Sequence, residues 1–186
     1  AGDAVLVPRP SYPLFELLTQ LESVTAIPYS LEYHGSWRID VDSIARAATD
    51  RVRALLVVSP NNPTGMIEPE DLVRTVAGEA PGLVVVDEAY GQFAPWSALE
   101  LVDGERPLVV TRTFSKTWSM AAARLGYLIG PPWLVDELDK VVLPYHLDAV
   151  KQAAGTAALS FADEMRARVA GIVEERGRVA AALADL

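Results

Sequence analysis

ALLVVSPNNPTG, residues 54–65, sets an uninterrupted apolar run (Ala54–Val58) directly against a polar loop punctuated by Pro60, Pro63 and Gly65. A run so short, closed by turn residues, predicts a strand, and its lack of alternation predicts burial on both faces. The same arrangement recurs twice downstream. Leu83–Val86 is apolar and ends on Asp87, and Leu108–Thr111 leads to Thr113. Helical stretches from about Pro69 to Ala77 and Pro132 to Val142 flank these strands. Apolar strands alternating with helices predict an α/β domain: three layers, α/β/α, around a mainly parallel sheet.

Outward from this centre, Ala4–Val7 and Val24–Tyr29 are further strand candidates, and Leu125–Ile129 is the last. Ser11 is placed to cap a helix over Tyr12–Leu21, with Pro13 in its first turn. Leu31–Asp40 is polar and aromatic around Gly35 and reads as loop; a short helix from Asp42 to about Ala48 follows. Helices over Ala149–Ser160 and Ala162–Leu186 close the chain. The sequence lacks an initiator Met and ends in a helical run without a stop signal, so both ends are expected to be interior to a longer polypeptide.

The 186 residues suffice for one domain. About half are hydrophobic and the formal charge is −9, which disfavours nucleic acid or an anionic membrane as partner because no basic field draws phosphates. With no cysteine, disulfides, thiolate metal sites and thiol nucleophiles are excluded. No apolar run approaches the ~18 residues that span a bilayer. The expectation is a cytoplasmic protein.

In open α/β sheets ligands bind beyond the carboxyl ends of the strands. There the three central strands carry Ser59–Gly65, then Asp87, Glu88, Ala89 and Tyr90, then Thr113, Phe114, Ser115 and Lys116. If the strands are parallel neighbours, an amide, a carboxylate with a phenol, and a hydroxyl-flanked amine face one crevice. That set suits pyridoxal phosphate (PLP). A lysine amine, ordinarily protonated near neutral pH, becomes a nucleophile toward an aldehyde when its surroundings lower its pKa. A buried aspartate keeps a pyridine nitrogen protonated, which makes the ring a better electron sink. Amide and phenol donors suit the ring oxygen O3′, and hydroxyls with an arginine suit a phosphate.

SPNNPTG (59–65), DEAY (87–90), TFSK (113–116) and RLGY (124–127) together resemble the fold-type-I PLP aminotransferases. PRPSYPLF near the start, RTFSK, the eight-residue step from Lys116 to Arg124 and LPYHLDAVKQAA (143–154) resemble the histidinol-phosphate aminotransferases among them. The resemblance covers essentially the whole chain. It implies that Lys116 bonds the cofactor and carries the proton between the substrate Cα and C4′. It implies that Asp87 pairs with the pyridine nitrogen, Asn62 and Tyr90 serve O3′, Tyr12 stacks on the ring, and Thr113, Ser115 and Arg124 hold the phosphate. The chain is then residues 1–186 of a PLP-binding large domain, with the N-terminal arm and C-terminal small domain of the parent outside it. The parent is expected to be a homodimer that transfers the amino group of histidinol phosphate, an amino-alcohol phosphate, to 2-oxoglutarate. Trp118, in TWSMAA (117–122), is bulkier than expected after the lysine and bears on substrate preference. An aromatic aminotransferase or a phosphothreonine decarboxylase is the enzyme alternative, since the same cofactor cup serves them all. The cofactor-binding domain of a transcription regulator is the alternative of another class.

Each residue also has an ordinary reading. Lys116 alone would be a surface lysine, Asp87 a cap, Asn62, Thr113 and Ser115 turn residues, Arg124 an ion-pair partner and Tyr12 a packing residue. Glu88 reads as an ion-pair or capping residue. His34 and His146 have no metal-like spacing and read as structural or solvent-facing, and the four tryptophans as packing or interface residues.

Overall fold

The computed structural model describes residues 2–184. Seven strands form one sheet in the order β3-β2-β1-β4-β5-β6-β7. They are β1 (Ala4–Arg9), β2 (Thr25–Tyr33), β3 (Trp37–Ile39), β4 (Val52–Val58), β5 (Leu83–Asp87), β6 (Leu108–Thr113) and β7 (Gly126–Ile129). Pairings β1–β2, β1–β4, β4–β5 and β5–β6 are parallel. The strands expected from the three apolar runs are therefore consecutive neighbours. Val57, Val86 and Val110 are wholly buried, as two-sided burial requires.

The helices are α1 (Leu14–Leu21), α2 (Val41–Ala47), α3 (Glu70–Glu79), α4 (Pro132–Asp139), α5 (Ala149–Leu159) and α6 (Ala162–Ala184). The expected end of the last helix at Leu186 lies outside the described residues. α4 stops three residues short of the expected Val142. Asp40 caps α2 by accepting the Ser43 amide (3.1 Å), and Asp148 caps α5 by accepting that of Lys151 (2.9 Å), each satisfying a donor the helix cannot.

Two local expectations are corrected. Leu31–Asp40 is not loop: β2 runs on to Tyr33 and turns at Gly35 (φ +80°) into β3, pairing Leu31 with Ile39 antiparallel. Both of those residues are buried, and the Tyr33 and Trp37 rings lie 5.6 Å apart, tilted at 58°. Ser11 is not a helix cap. α1 begins after Pro13 without a side-chain cap bond, and the Ser11 hydroxyl instead accepts from Asn61 Nδ2 (3.3 Å).

The chain divides into two compact units, one running to Arg112 and taking up Leu128–Val141, the other formed by Thr113–Tyr127 and Val142–Leu186. The first has a core of Leu6, Tyr29, Leu55, Val57, Val84, Val86, Leu108 and Val110. The second packs Phe114, Trp118, Leu125 and Met165, with the Phe114 and Trp118 rings 5.5 Å apart. Trp118 thus reads as packing.

Gly82 has no room for a side chain, because a Cβ there would come within 2.2 Å of the Arg53 carbonyl oxygen on the neighbouring strand. Backbone must move to relieve such a clash, and overpacking of this kind costs about 1–3 kcal/mol. Gly82→Ala is therefore expected to lower the urea midpoint of the full-length protein accordingly, whereas Gly104→Ala, with open space around the Cβ position, leaves it near wild type.

Candidate active site

In the first unit the polar groups lie at the carboxyl ends of β1, β4 and β5. Register places Val58 opposite Asp87, and Asp87 opposite Thr111. The ends are tied by backbone: Ser59 N–H donates to Asp87 O (3.0 Å) and Glu88 N–H to Thr111 O (2.9 Å). Asn61 fastens the loop after β4 to the loop after β1, since its Nδ2 donates to Ser11 Oγ (3.3 Å) and Pro10 O (3.5 Å). Its Oδ1 accepts from the Thr64 amide and hydroxyl (3.3 and 3.0 Å), closing the SPNNPTG turn. This buried scaffold residue was not singled out in the sequence, where two adjacent asparagines offer no means of telling scaffold from ligand. Its neighbour Asn62 is half-buried.

Asp87 ends β5 half-buried, and its Oδ1 accepts the Ala89 amide (2.8 Å). Burial pushes its carboxyl above the ordinary aspartate value; the Ala89 hydrogen bond opposes this and the nearby Glu88 charge adds to it. Tyr90, half-buried, follows in the same turn. Tyr12 is about half exposed at the start of α1, edge-on to Phe15 at 6.1 Å.

Glu88 is buried and is both things its sequence reading allowed. It pairs with Arg112 of β6 through two hydrogen bonds to Oε2 (Nε 3.1 Å, Nη2 2.7 Å), and its Oε1 accepts the Ala98 amide (2.6 Å). Ser97 Oγ donates to the same carboxylate (2.8 Å) and accepts from Arg112 Nη2 (2.8 Å). Arg112 had no distinguishing mark in the sequence, because its partner lies 24 residues away across a parallel pairing.

In the second unit, Thr113–Lys116 and Arg124 form their own local cluster. Thr113 Oγ1 accepts the Ser115 amide (3.0 Å) and donates to Leu125 O (3.4 Å), so its hydroxyl is engaged in holding the turn. Ser115 Oγ accepts from Arg124 Nη1 (3.4 Å), which also donates to Ala121 O (2.8 Å). Arg124 sits in the left-handed region (φ 50°, ψ 46°), a conformation that non-glycine residues adopt at some cost and that clusters at functional sites. Both Arg124 and Lys116 are exposed.

Each unit's donors suit one part of a PLP-like group. A desolvated carboxyl at a strand end is a good proton acceptor for a protonated ring nitrogen, because a pKa raised by burial favours sharing the proton. A guanidinium already turned onto a serine hydroxyl is a phosphate-type donor pair. His34 and His146 are exposed, as expected, and among the described residues no group of three metal-ligating side chains occurs. No described helix is long and apolar enough to cross a membrane.

A family model described as aminotransferase class I and II matches residues 1–186. The chain is 40% identical to an aromatic amino acid aminotransferase of Mycolicibacterium paratuberculosis, over 100% of this chain and 53% of that protein. It is 42% identical to a histidinol-phosphate aminotransferase of Mycobacterium avium, over 95% of this chain and 45% of that protein. The chain thus spans about half the length of the curated relatives it matches. Among solved structures it is similar to the histidinol-phosphate aminotransferase of Sinorhizobium meliloti in complex with pyridoxal-5'-phosphate (TM-score 0.82, 26% identity, 100% of this chain and 51% of that one). It is similar also to a mutant aspartate aminotransferase of Thermus thermophilus (TM-score 0.83, 25% identity, 95% and 51%).

Proposed function

Because the chain belongs to the aminotransferase class I and II family, we propose that it is the cofactor-binding part of a PLP-dependent aminotransferase that acts on histidinol phosphate with 2-oxoglutarate as acceptor. The observation that carries this is the order of the strands: β4, β5 and β6 are consecutive parallel neighbours, with Asn62 in the loop after β4, Asp87 ending β5, and Lys116 three residues beyond Thr113 at the end of β6.

When bound, PLP supplies an aldehyde and an electron-withdrawing ring. The chain's residues would hold and orient it. Asp87 would accept the hydrogen bond of the protonated ring nitrogen, a role that its partial burial suits. Asn62 and Tyr90 would donate to O3′. Thr113, Ser115 and Arg124 would hold the phosphate, the Thr113 hydroxyl also keeping the Ser115 turn in shape. Tyr12 would stack on the ring. Lys116 would hold the cofactor through its amine and supply the base and acid for proton transfer. The complete site is expected in a homodimer of the full-length protein.

The near-equal likeness to aromatic aminotransferases makes an aromatic amino acid the second reading of the donor. A transamination assay of the full-length protein separates the two. With 2-oxoglutarate as acceptor, kcat/KM is expected to be highest for histidinol phosphate in a panel including tyrosine and phenylalanine. A preference for the aromatic amino acids overturns the substrate assignment and leaves the family intact.

A further inference from the structure

The buried Glu88–Arg112 pair lies outside every role so far assigned, yet it sits between the two strand ends that carry the proposed cofactor residues. Glu88 directly follows Asp87, and Arg112 directly precedes Thr113. Glu88 is 2% exposed, and its carboxylate is enclosed by the Arg112 fork, the Ser97 hydroxyl and the Ala98 amide. Its backbone amide donates to Thr111 O, so main chain and side chain both bind the turn after β5 to β6. Gly91 makes the enclosure tighter, because a Cβ there would come within 2.7 Å of the Glu88 side chain.

A buried ion pair is weak evidence for stability as such, since desolvation offsets much of the attraction. What a two-bond guanidinium–carboxylate contact does supply is fixed geometry. Here it fixes the turn that carries Asp87 and Tyr90 against β6. We propose that Glu88 and Arg112 are positioning residues for the cofactor: their pairing holds Asp87 and Tyr90 in binding geometry, without either side chain of the pair touching the cofactor. The proposal rests on the PLP reading of the site.

Single substitutions leave one buried charge without its partner and can unfold the protein, so the test is a neutral pair. Glu88→Gln combined with Arg112→Met leaves no uncompensated charge, and a glutamine oxygen still accepts the Ala98 amide. In the full-length protein this double variant is expected to keep the wild-type far-UV circular dichroism and melting temperature of the apo form. Its dissociation constant for PLP, measured by spectral titration, is expected to rise about tenfold or more, the scale on which supporting partners of site residues act elsewhere. The circular dichroism induced in the bound cofactor's own absorption band, which reports ring orientation, is expected to shrink at saturating PLP. A purely structural pair would move the melting temperature and leave both cofactor readouts at wild-type values. A double variant that binds PLP with wild-type affinity and induced dichroism overturns the proposal. Failure of the underlying reading looks different: the wild-type protein would then show no saturable PLP binding at all.

Discussion

Full-length protein carrying Lys116→Ala is expected to lose transamination by more than about 100-fold, the lower end of what a positioned acid–base group contributes. It is also expected to lose all covalent hold on the cofactor. Lys116 is the only lysine on any of the three polar strand ends, since Ser59–Gly65 and Asp87–Tyr90 contain none. A Schiff base needs a primary amine, so no neighbouring side chain can substitute. Borohydride reduction of the PLP-loaded wild-type protein, followed by peptide mass analysis, is expected to place the pyridoxyl mass on Lys116, and the alanine variant to carry none. The melting temperatures of the apo variant and the apo wild type, measured side by side, separate loss of the amine from loss of the fold. A pyridoxyl label on Lys140 or Lys151 instead, or a label that survives Lys116→Ala, sinks the assignment.

That expectation was available from the sequence, and the reason is physical. Strands β4, β5 and β6 are buried on both faces, so their sequences are unbroken apolar runs, and the point where each run stops marks the strand end. Ligand-binding groups in such sheets sit at those ends. The β2–β3 hairpin was illegible for the converse reason. Only one of its faces is covered, and Glu32, His34 and Arg38 interrupt the apolar pattern between Leu31 and Ile39. Ser11 shows a different limit. A serine before a helix is equally a cap or a long-range acceptor, and the choice fell to Asn61, 50 residues away. Glu88 could be read as a pairing residue, but its partner Arg112 could be found only once the parallel register of β5 and β6 was known.

Glu68 was invisible in the sequence because a buried carboxyl with no partner runs against every compositional rule. It is 1% exposed, and neither carboxyl oxygen makes a hydrogen bond of ordinary geometry, although the Ile39 amide is near enough to favour its charged form. Its backbone is fully engaged: the amide donates to Ser59 Oγ (3.0 Å), and the carbonyl accepts from Trp96 Nε1 (3.0 Å). The side chain is therefore held in place by its main chain and must bear the cost of burial. Burial pushes its carboxyl from 4.5 to about 7, against a weaker opposing pull from the Ile39 amide. Tyr29, the titratable group beside it, is wholly buried and donates its hydroxyl to Leu56 O (2.8 Å), and its pKa is raised by its own burial and by Glu68.

The sign follows from linkage. Between pH 4.5 and about 7 the folded chain holds a proton at Glu68 that the unfolded chain has released, so stability falls as pH rises through that window. At about 1.4 kcal/mol per pKa unit the full loss approaches 3.5 kcal/mol by pH 8. Asp87, raised in the same direction, contributes a loss of the same sign above the ordinary aspartate range. Glu68→Met keeps the length of the side chain and forfeits only the weak Ile39 contact, because neither oxygen makes a hydrogen bond of ordinary geometry. In urea unfolding of the full-length protein, wild type is expected to lose about 2.5 kcal/mol more than the Met variant between pH 5 and pH 8, and the variant to be the more stable of the two at pH 8. Parallel pH profiles for the two proteins would mean that Glu68 finds a partner or water in solution, and would refute the assignment of a lone buried carboxyl.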